Sequence, residues 1–191
     1  MNAELATTSP PSRATIMAEL ATVLRTSNGS ASNIESVIAQ TSASSQQIAA
    51  TFGSNRELTL AMVAELSDTM SAPLSGPSSK SNLRQRLLDF GQCVTDVYAT
   101  SHLRSLYRIA ITESIRHTGL GRDFYEAGPG RLTKRLSDFL RSAQAEEMLA
   151  PGDPHLLPDH FLPSLRPNLD IADTFSHSLA TNPIAAGTYV R

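Results

Sequence analysis

Residues 37–58 read VIAQTSASSQQIAATFGSNREL, two apolar stretches parted by a serine-rich turn, with only Arg56 and Glu57 charged. Asn33 is a good N-cap for a helix over residues 34–40, and Ser44 for a second helix closing at Phe52. Ser54 caps a longer helix whose apolar face is Leu58, Met62, Val63 and Met70. A helix of about two turns, a short turn and a second short helix make the layout of a helix-turn-helix. Val37, Ile38, Ile48 and Phe52 are placed to lock the two helices together. Upstream, Ile16, Leu20, Val23 and Leu24 give one face of a preceding helix, stopped at residues 26–29, where Gly29 suits a left-handed cap.

Working outward, no four-residue alternation of β-branched or aromatic side chains marks a strand, so the chain reads as all-α. Residues 71–81, SAPLSGPSSKS, form a connecting loop or hinge. Beyond it lie three apolar stripes: Leu83, Leu87, Phe90, Val94 and Val97; Leu103, Leu106, Tyr107, Ala110 and Ile111; and Leu132, Leu136, Phe139, Leu140 and Ala143. The glycine-bearing segment from Gly119 to Gly130 punctuates the last two. After Met148, prolines at 151, 154, 158, 163 and 167 predict helical pieces of a turn or two at most. The implied organisation is a helix-turn-helix head at residues 10–57, a helical bundle at 58–167 and a loosely ordered tail at 168–191.

The 191 residues suffice for a real core, with 40% hydrophobic side chains. A single cysteine, Cys93, excludes an internal disulfide and a thiolate zinc site. No secretory signal or membrane span is evident, which fits a cytoplasmic protein. Net charge is −2 overall, and the first 70 residues set three arginines against six carboxylates. Neither half has the basic balance that usually accompanies phosphate-backbone binding.

Residues 37–58 resemble the helix-turn-helix signature of the TetR family of bacterial transcriptional regulators. Val37 and Ile38 take the place of an Ile-Ala pair and Ser44 that of the turn serine. Ile48 and Phe52 take the apolar positions of the recognition helix, and Ser54, Glu57 and Leu58 open the next helix. Residues 108–162, including ITES at 111–114, FYEAGPGRLTKRLSDFL from Phe124 and GDPHLLPDHFL from Gly152, are similar to an AefR-like C-terminal ligand and dimerisation region. The resemblance implies a TetR-like regulator: a dimer binding an operator, with a small-molecule effector of unknown identity in the C-terminal domain. The departures fall where DNA is touched. Ser42 and Ala43 replace the turn glycine and valine, Ala49 the recognition-helix tyrosine, and Asn55 the phosphate-contacting lysine, with Arg56 standing one place later.

The candidate DNA-binding residues are therefore Asn33, Ser44, Ser45, Gln46, Gln47, Thr51, Asn55 and Arg56. Gln46 and Gln47 are suited to pair with adenine, and the hydroxyls to donate to phosphates or base edges. The candidate effector pocket is Phe90, Cys93, Val94, Tyr98, Leu106, Tyr107 and Ile111, with His102, Arg108 or Glu113 as a polar handle. The alternative reading is a TetR-like protein whose head has lost its DNA contacts and which binds a ligand or a partner.

No catalytic constellation, cofactor or metal site is expected. Asp153, His155, Asp159 and His160 lack a ligand spacing. Cys93 sits on an apolar stripe rather than beside a base. By the resemblance, two C-terminal helices form a four-helix homodimer interface. The first is expected at residues 131–148, and the second is compromised by Pro158 and Pro163.

Overall fold

The computed structural model describes residues 11–27, 30, 31, 33–76, 79, 81–116, 119–153 and 156–165. They contain no strand. Nine α-helices follow in order: α1 (Arg13–Thr26), α2 (Ile34–Ile38), α3 (Ser45–Phe52), α4 (Asn55–Ser71), α5 (Leu83–Tyr98), α6 (Ser101–Arg116), α7 (Leu120–Tyr125), α8 (Arg131–Ala145) and α9 (Leu156–Leu165). The expected cap at Gly29 and the tail at 168–191 lie outside the described residues.

Two apolar clusters hold the helices. The upper one joins Ile16, Leu20 and Leu24 of α1 to Ile34, Val37, Ile38, Ile48 and Phe52 of the helix-turn-helix and to Leu58, Met62 and Val63 of α4. It also takes in Leu106, Ile109 and Ala110 of α6 and Phe124 of α7. The lower cluster gathers Phe90, Val94 and Tyr98 of α5, Leu132, Leu136, Phe139 and Leu140 of α8 and Leu162 of α9 around Met70 and Leu74. Helix α4 runs through both clusters, so packing crosses the motif boundary at residue 57.

The loop after α4 holds a short 3-10 turn, Ala72–Leu74. One side chain closes it: Arg86 donates to the carbonyls of Pro73, Ser75 and Gly76 at 2.9, 2.7 and 3.1 Å. Its guanidinium lies 4.9 Å from the centre of the Phe139 ring.

Three expectations are corrected. The glycine-bearing segment 119–130 is helical, α7 followed by a π-turn, Glu126–Gly130, that runs directly into α8. Pro129 has no N–H to donate, which suits the wider π geometry. Gly128 sits where its carbonyl accepts from the buried Ser67 hydroxyl of α4 at 3.0 Å. A β-carbon at Gly128 would come within 2.6 Å of a Val63 methyl, so this turn and α4 meet backbone to side chain.

The helix expected over 131–148 stops at Ala145. Glu147 takes a φ of 53°, and the Met148 N–H turns back to the Ala143 carbonyl at 2.8 Å. The proline-rich segment makes ten residues of helix rather than pieces of a turn or two. Pro158 falls in the first turn, where no N–H is needed. Phe161 stacks on Phe90 with centroids 6.4 Å apart, and Leu165 lies 3.6 Å from where a β-carbon on Gly91 would be. Burial against α5 thus outweighs the break that Pro163 introduces.

Candidate nucleic-acid interface

Backbone caps fix the helix-turn-helix. Asn33 accepts from the Ser36 N–H at 2.7 Å and starts α2. At α3, Ser44 and Gln47 form a reciprocal box: the Ser44 hydroxyl accepts from the Gln47 N–H at 3.2 Å, and the Gln47 side-chain carbonyl accepts from the Ser44 N–H at 2.7 Å. Gly53, with φ 90°, ends α3 in a conformation costly for any residue with a β-carbon. Ser54 caps α4 by accepting from the Glu57 N–H at 3.2 Å, and its hydroxyl also bonds the Glu57 carboxylate.

The turn between α2 and α3 is tied to α1 by a contact that sequence reasoning missed. The backbone N–H and hydroxyl of Ser42 both donate to the Glu19 carboxylate at 2.8 Å. These bonds, the backbone one first, hold the Glu19 carboxyl below its ordinary range. Among the described residues Glu147 is the only non-glycine with positive φ, so the turn accepts serine where the resembled family has glycine. Ala43, buried, fills the neighbouring inward position.

Ile48 and Phe52 are buried beneath α3, while Ser45, Gln46, Ala49 and Ala50 are exposed on one contiguous face, with Gln47 and Thr51 half-buried on its flank. No residue of α3 is charged. Arg13 covers the Phe52 ring, 4.5 Å from its centroid, at the far end of the helix. Arg56 is half-buried, and its guanidinium pairs with Asp123 of α7. Asn55 and Ser45 meet Glu35, Ile38, Thr41 and Ser44 around a cleft of about 560 Å³. Of the eight candidate DNA residues, Ser44, Ser45 and Asn55 share this cleft, while Gln46, Gln47 and Thr51 lie along α3. Two of the eight, Asn33 and Ser44, also cap helices, the Gln47 carbonyl serves the capping box, and Arg56 is engaged from below.

The candidate pocket residues do not converge. Phe90, Val94 and Tyr98 are packed in the lower cluster and Leu106 in the upper one. Tyr107 touches both and meets Phe124 edge-on, with centroids 5.4 Å apart. Cys93 is half-buried. Ile111 is 64% exposed and faces solvent. The helix rotates so that Ile109, absent from the expected stripe, takes the buried place beside Leu106 and Ala110. Glu113 instead borders a cleft of about 330 Å³ between head and body, with Ile34, Glu35, Asn55, Arg56, Thr59 and Leu120.

His102 is buried, and its Nε2 has no hydrogen-bond partner among the described residues. Burial first, and the nearby Arg25 second, push its pKa down from 6.5 to about 4. Of the histidine and carboxylate patch near the C-terminus, His160 is exposed, and His155 lies outside the described residues.

A helix-turn-helix whose second helix presents an exposed face, packed on a helical body that shares its core, is the architecture of the described residues. Residues 85–175 match the family model of the AefR-like transcriptional repressor C-terminal domain. The chain is similar in structure to the flavonoid-responsive regulator FrrA, at 24% identity and a TM-score of 0.56, over 84% of each chain. It is also similar to a Mesorhizobium loti protein assigned to the TetR family of transcriptional regulators, at 20% identity and a TM-score of 0.54, covering 78% of this chain and 79% of that one. No curated protein matches the sequence. The C-terminal region thus matches the AefR-like repressor domains over residues 85–175, and the chain is similar in fold to these two regulators. No helix among the described residues is long and apolar enough to cross a membrane.

Proposed function

We propose that the protein is a cytoplasmic transcriptional regulator that binds duplex DNA through α3, works as a homodimer and answers to a small molecule held by its C-terminal bundle. The head, residues 10–57, is the DNA-binding part, and residues 58–167 carry ligand binding and dimerisation. The observation that supports this most is α3 itself: an eight-residue helix capped at both ends, anchored by Ile48 and Phe52, with its outer face exposed. A dimer presents two such helices to successive major grooves. A ligand that prefers one spacing of the heads then shifts operator affinity by its differential affinity for the two spacings.

Fluorescence anisotropy with the protein's own promoter region and with random duplex, at low and physiological salt, tests this reading. Saturable, sequence-dependent binding supports it, and equal, weak binding to both duplexes at low salt counts against it.

A second reading is favoured by one observation: α3 carries no charge, and the neighbouring Arg56 is paired with Asp123. On that reading the head has given up DNA, and the molecule binds a ligand or a partner protein. Absence of any duplex binding, together with capture of a second, different chain, supports it.

A further inference from the structure

The outward face of α3 consists of Ser45, Gln46, Ala49 and Ala50. Successive helical residues advance by about 100°, so these four cover one side without a gap. Base edges in the major groove ask for different partners. Guanine is read by arginine or lysine and the cytosine amino group by a carboxylate, whereas adenine takes a bidentate glutamine and the thymine methyl takes a small apolar side chain. This helix holds no arginine or lysine for guanine and no carboxylate for cytosine, and its one exposed hydroxyl, Ser45, does not discriminate among bases. It has one glutamine for adenine and two methyl groups for thymine.

The neighbouring glutamine does not duplicate the first. The Gln47 carbonyl accepts the Ser44 N–H in the capping box, so its amide is turned toward the backbone. Gln46 is exposed and one step further round the helix. The small size of Ala49 and Ala50 lets the helix lie deep in a groove, bringing their methyls to van der Waals contact with base edges.

We infer that α3 reads an A·T half-site, with Gln46 pairing to adenine and Ala49 and Ala50 packing on thymine methyl groups. This rests on the proposed DNA-binding function and names the sequence class that function serves. Discrimination comes from shape and methyl contact rather than from charge, and it is insensitive to salt, unlike the phosphate contribution.

The test uses the full chain and a pool of duplexes with randomised half-sites. Enrichment of A·T at the centre of each half-site is expected. Two changes to the enriched duplex then probe the contacts without altering the protein. Replacing thymine by uracil removes only the methyl group and weakens binding about fourfold per contacted methyl. Replacing adenine by 7-deazaadenine removes the N7 acceptor and weakens binding about tenfold for the wild type, but leaves Gln46→Ala unaffected.

A G·C-rich enriched site, or uracil duplexes bound as tightly as thymine duplexes, overturns the inference while leaving the regulator reading in place. Failure to enrich any sequence, with no binding at low salt, overturns both.

Discussion

Along the outer face of α3, four exposed side chains carry no internal duty, whereas a few ångströms inward almost every group is committed. Helix α4 meets the π-turn through Val63 and the Ser67–Gly128 hydrogen bond, α1 meets α6 at Leu24, Leu106 and the Ser101 hydroxyl bond to the Arg25 carbonyl, and Arg56 reaches Asp123. The helix is held by its caps and by two apolar side chains, so its face is free to differ from the resembled family at Ala49 without disturbing the fold. The junction has no such latitude. Specificity and stability are written in separate residues here, and that separation is open to direct attack.

Gly128→Ala carries the largest expected effect. A β-carbon within 2.6 Å of a Val63 methyl must displace a β-branched side chain whose χ1 is stiff. The expected loss is about 3 kcal/mol, the upper part of the range for overpacking. Urea unfolding measures it, and Val63→Ala in the same chain should return part of the loss. Additive behaviour of the two substitutions would mean that the close approach has no energetic weight.

His102 comes next. Its folded value is about 4 against 6.5 for the unfolded chain, so the unfolded state takes up the proton first. Stability on this account is complete above pH 6.5 and declines as pH falls toward 4, by about 2 kcal/mol at pH 5. Glu19 and Asp138, both held below their ordinary values, add losses only at lower pH, as their own carboxylates protonate. Thermal melts from pH 5 to 7.5 should show the slope, and His102→Leu should flatten it. A slope unchanged in the variant removes His102 as its source.

These two residues mark where sequence reading stops. The helix-turn-helix was legible because its signals are local. Asn33, Ser44 and Ser54 are caps, and Val37, Ile38, Ile48 and Phe52 repeat at helical spacing; in the structure each cap accepts its N–H and each apolar residue is buried. What escaped depends on distant partners. Ser42 finds Glu19 from 23 positions away and Arg56 finds Asp123 from 67 away, and no spacing announces either. The stripe on α6 holds at Leu103, Leu106, Tyr107 and Ala110 and fails at Ile111, because Ile109 and Ile111 are equally apolar and only α1 and α4 decide which turns inward. Proline counting failed at α9 for the same reason, since burial of Phe161 and Leu162 against α5 and α8 is invisible in the segment itself.

Ser44→Ala tests the boundary between the two regions. It removes the acceptor for the Gln47 N–H, at a cost of about 1 kcal/mol typical of N-caps. The Gln47 side chain is released from its box as well, so operator binding should weaken beyond what the stability change explains. A circular-dichroism melt paired with anisotropy on the same sample separates the two effects. Loss of binding in proportion to unfolded protein would assign Ser44 to structure alone.

The smallest stability effect belongs to the pair of Arg56 and Asp123, whose side chains are 39% and 24% exposed. A double-mutant cycle with Arg56→Gln and Asp123→Asn should give a coupling of about 0.5 kcal/mol, weakened by salt. Its consequence for DNA is larger than its contribution to the fold. Arg56 stands one place from the position that contacts phosphate in the resembled family, and Asp123 holds its charge against the body. Asp123→Asn frees the guanidinium while leaving the head packed, so affinity for random duplex should rise at low salt. The dependence of log K on log salt should steepen by about one for each arginine that reaches a phosphate. Arg56→Gln should show neither change. If both variants bind random duplex like the wild type, Arg56 has no share in the interface, and the outer face of α3 must hold DNA without a cation from this position.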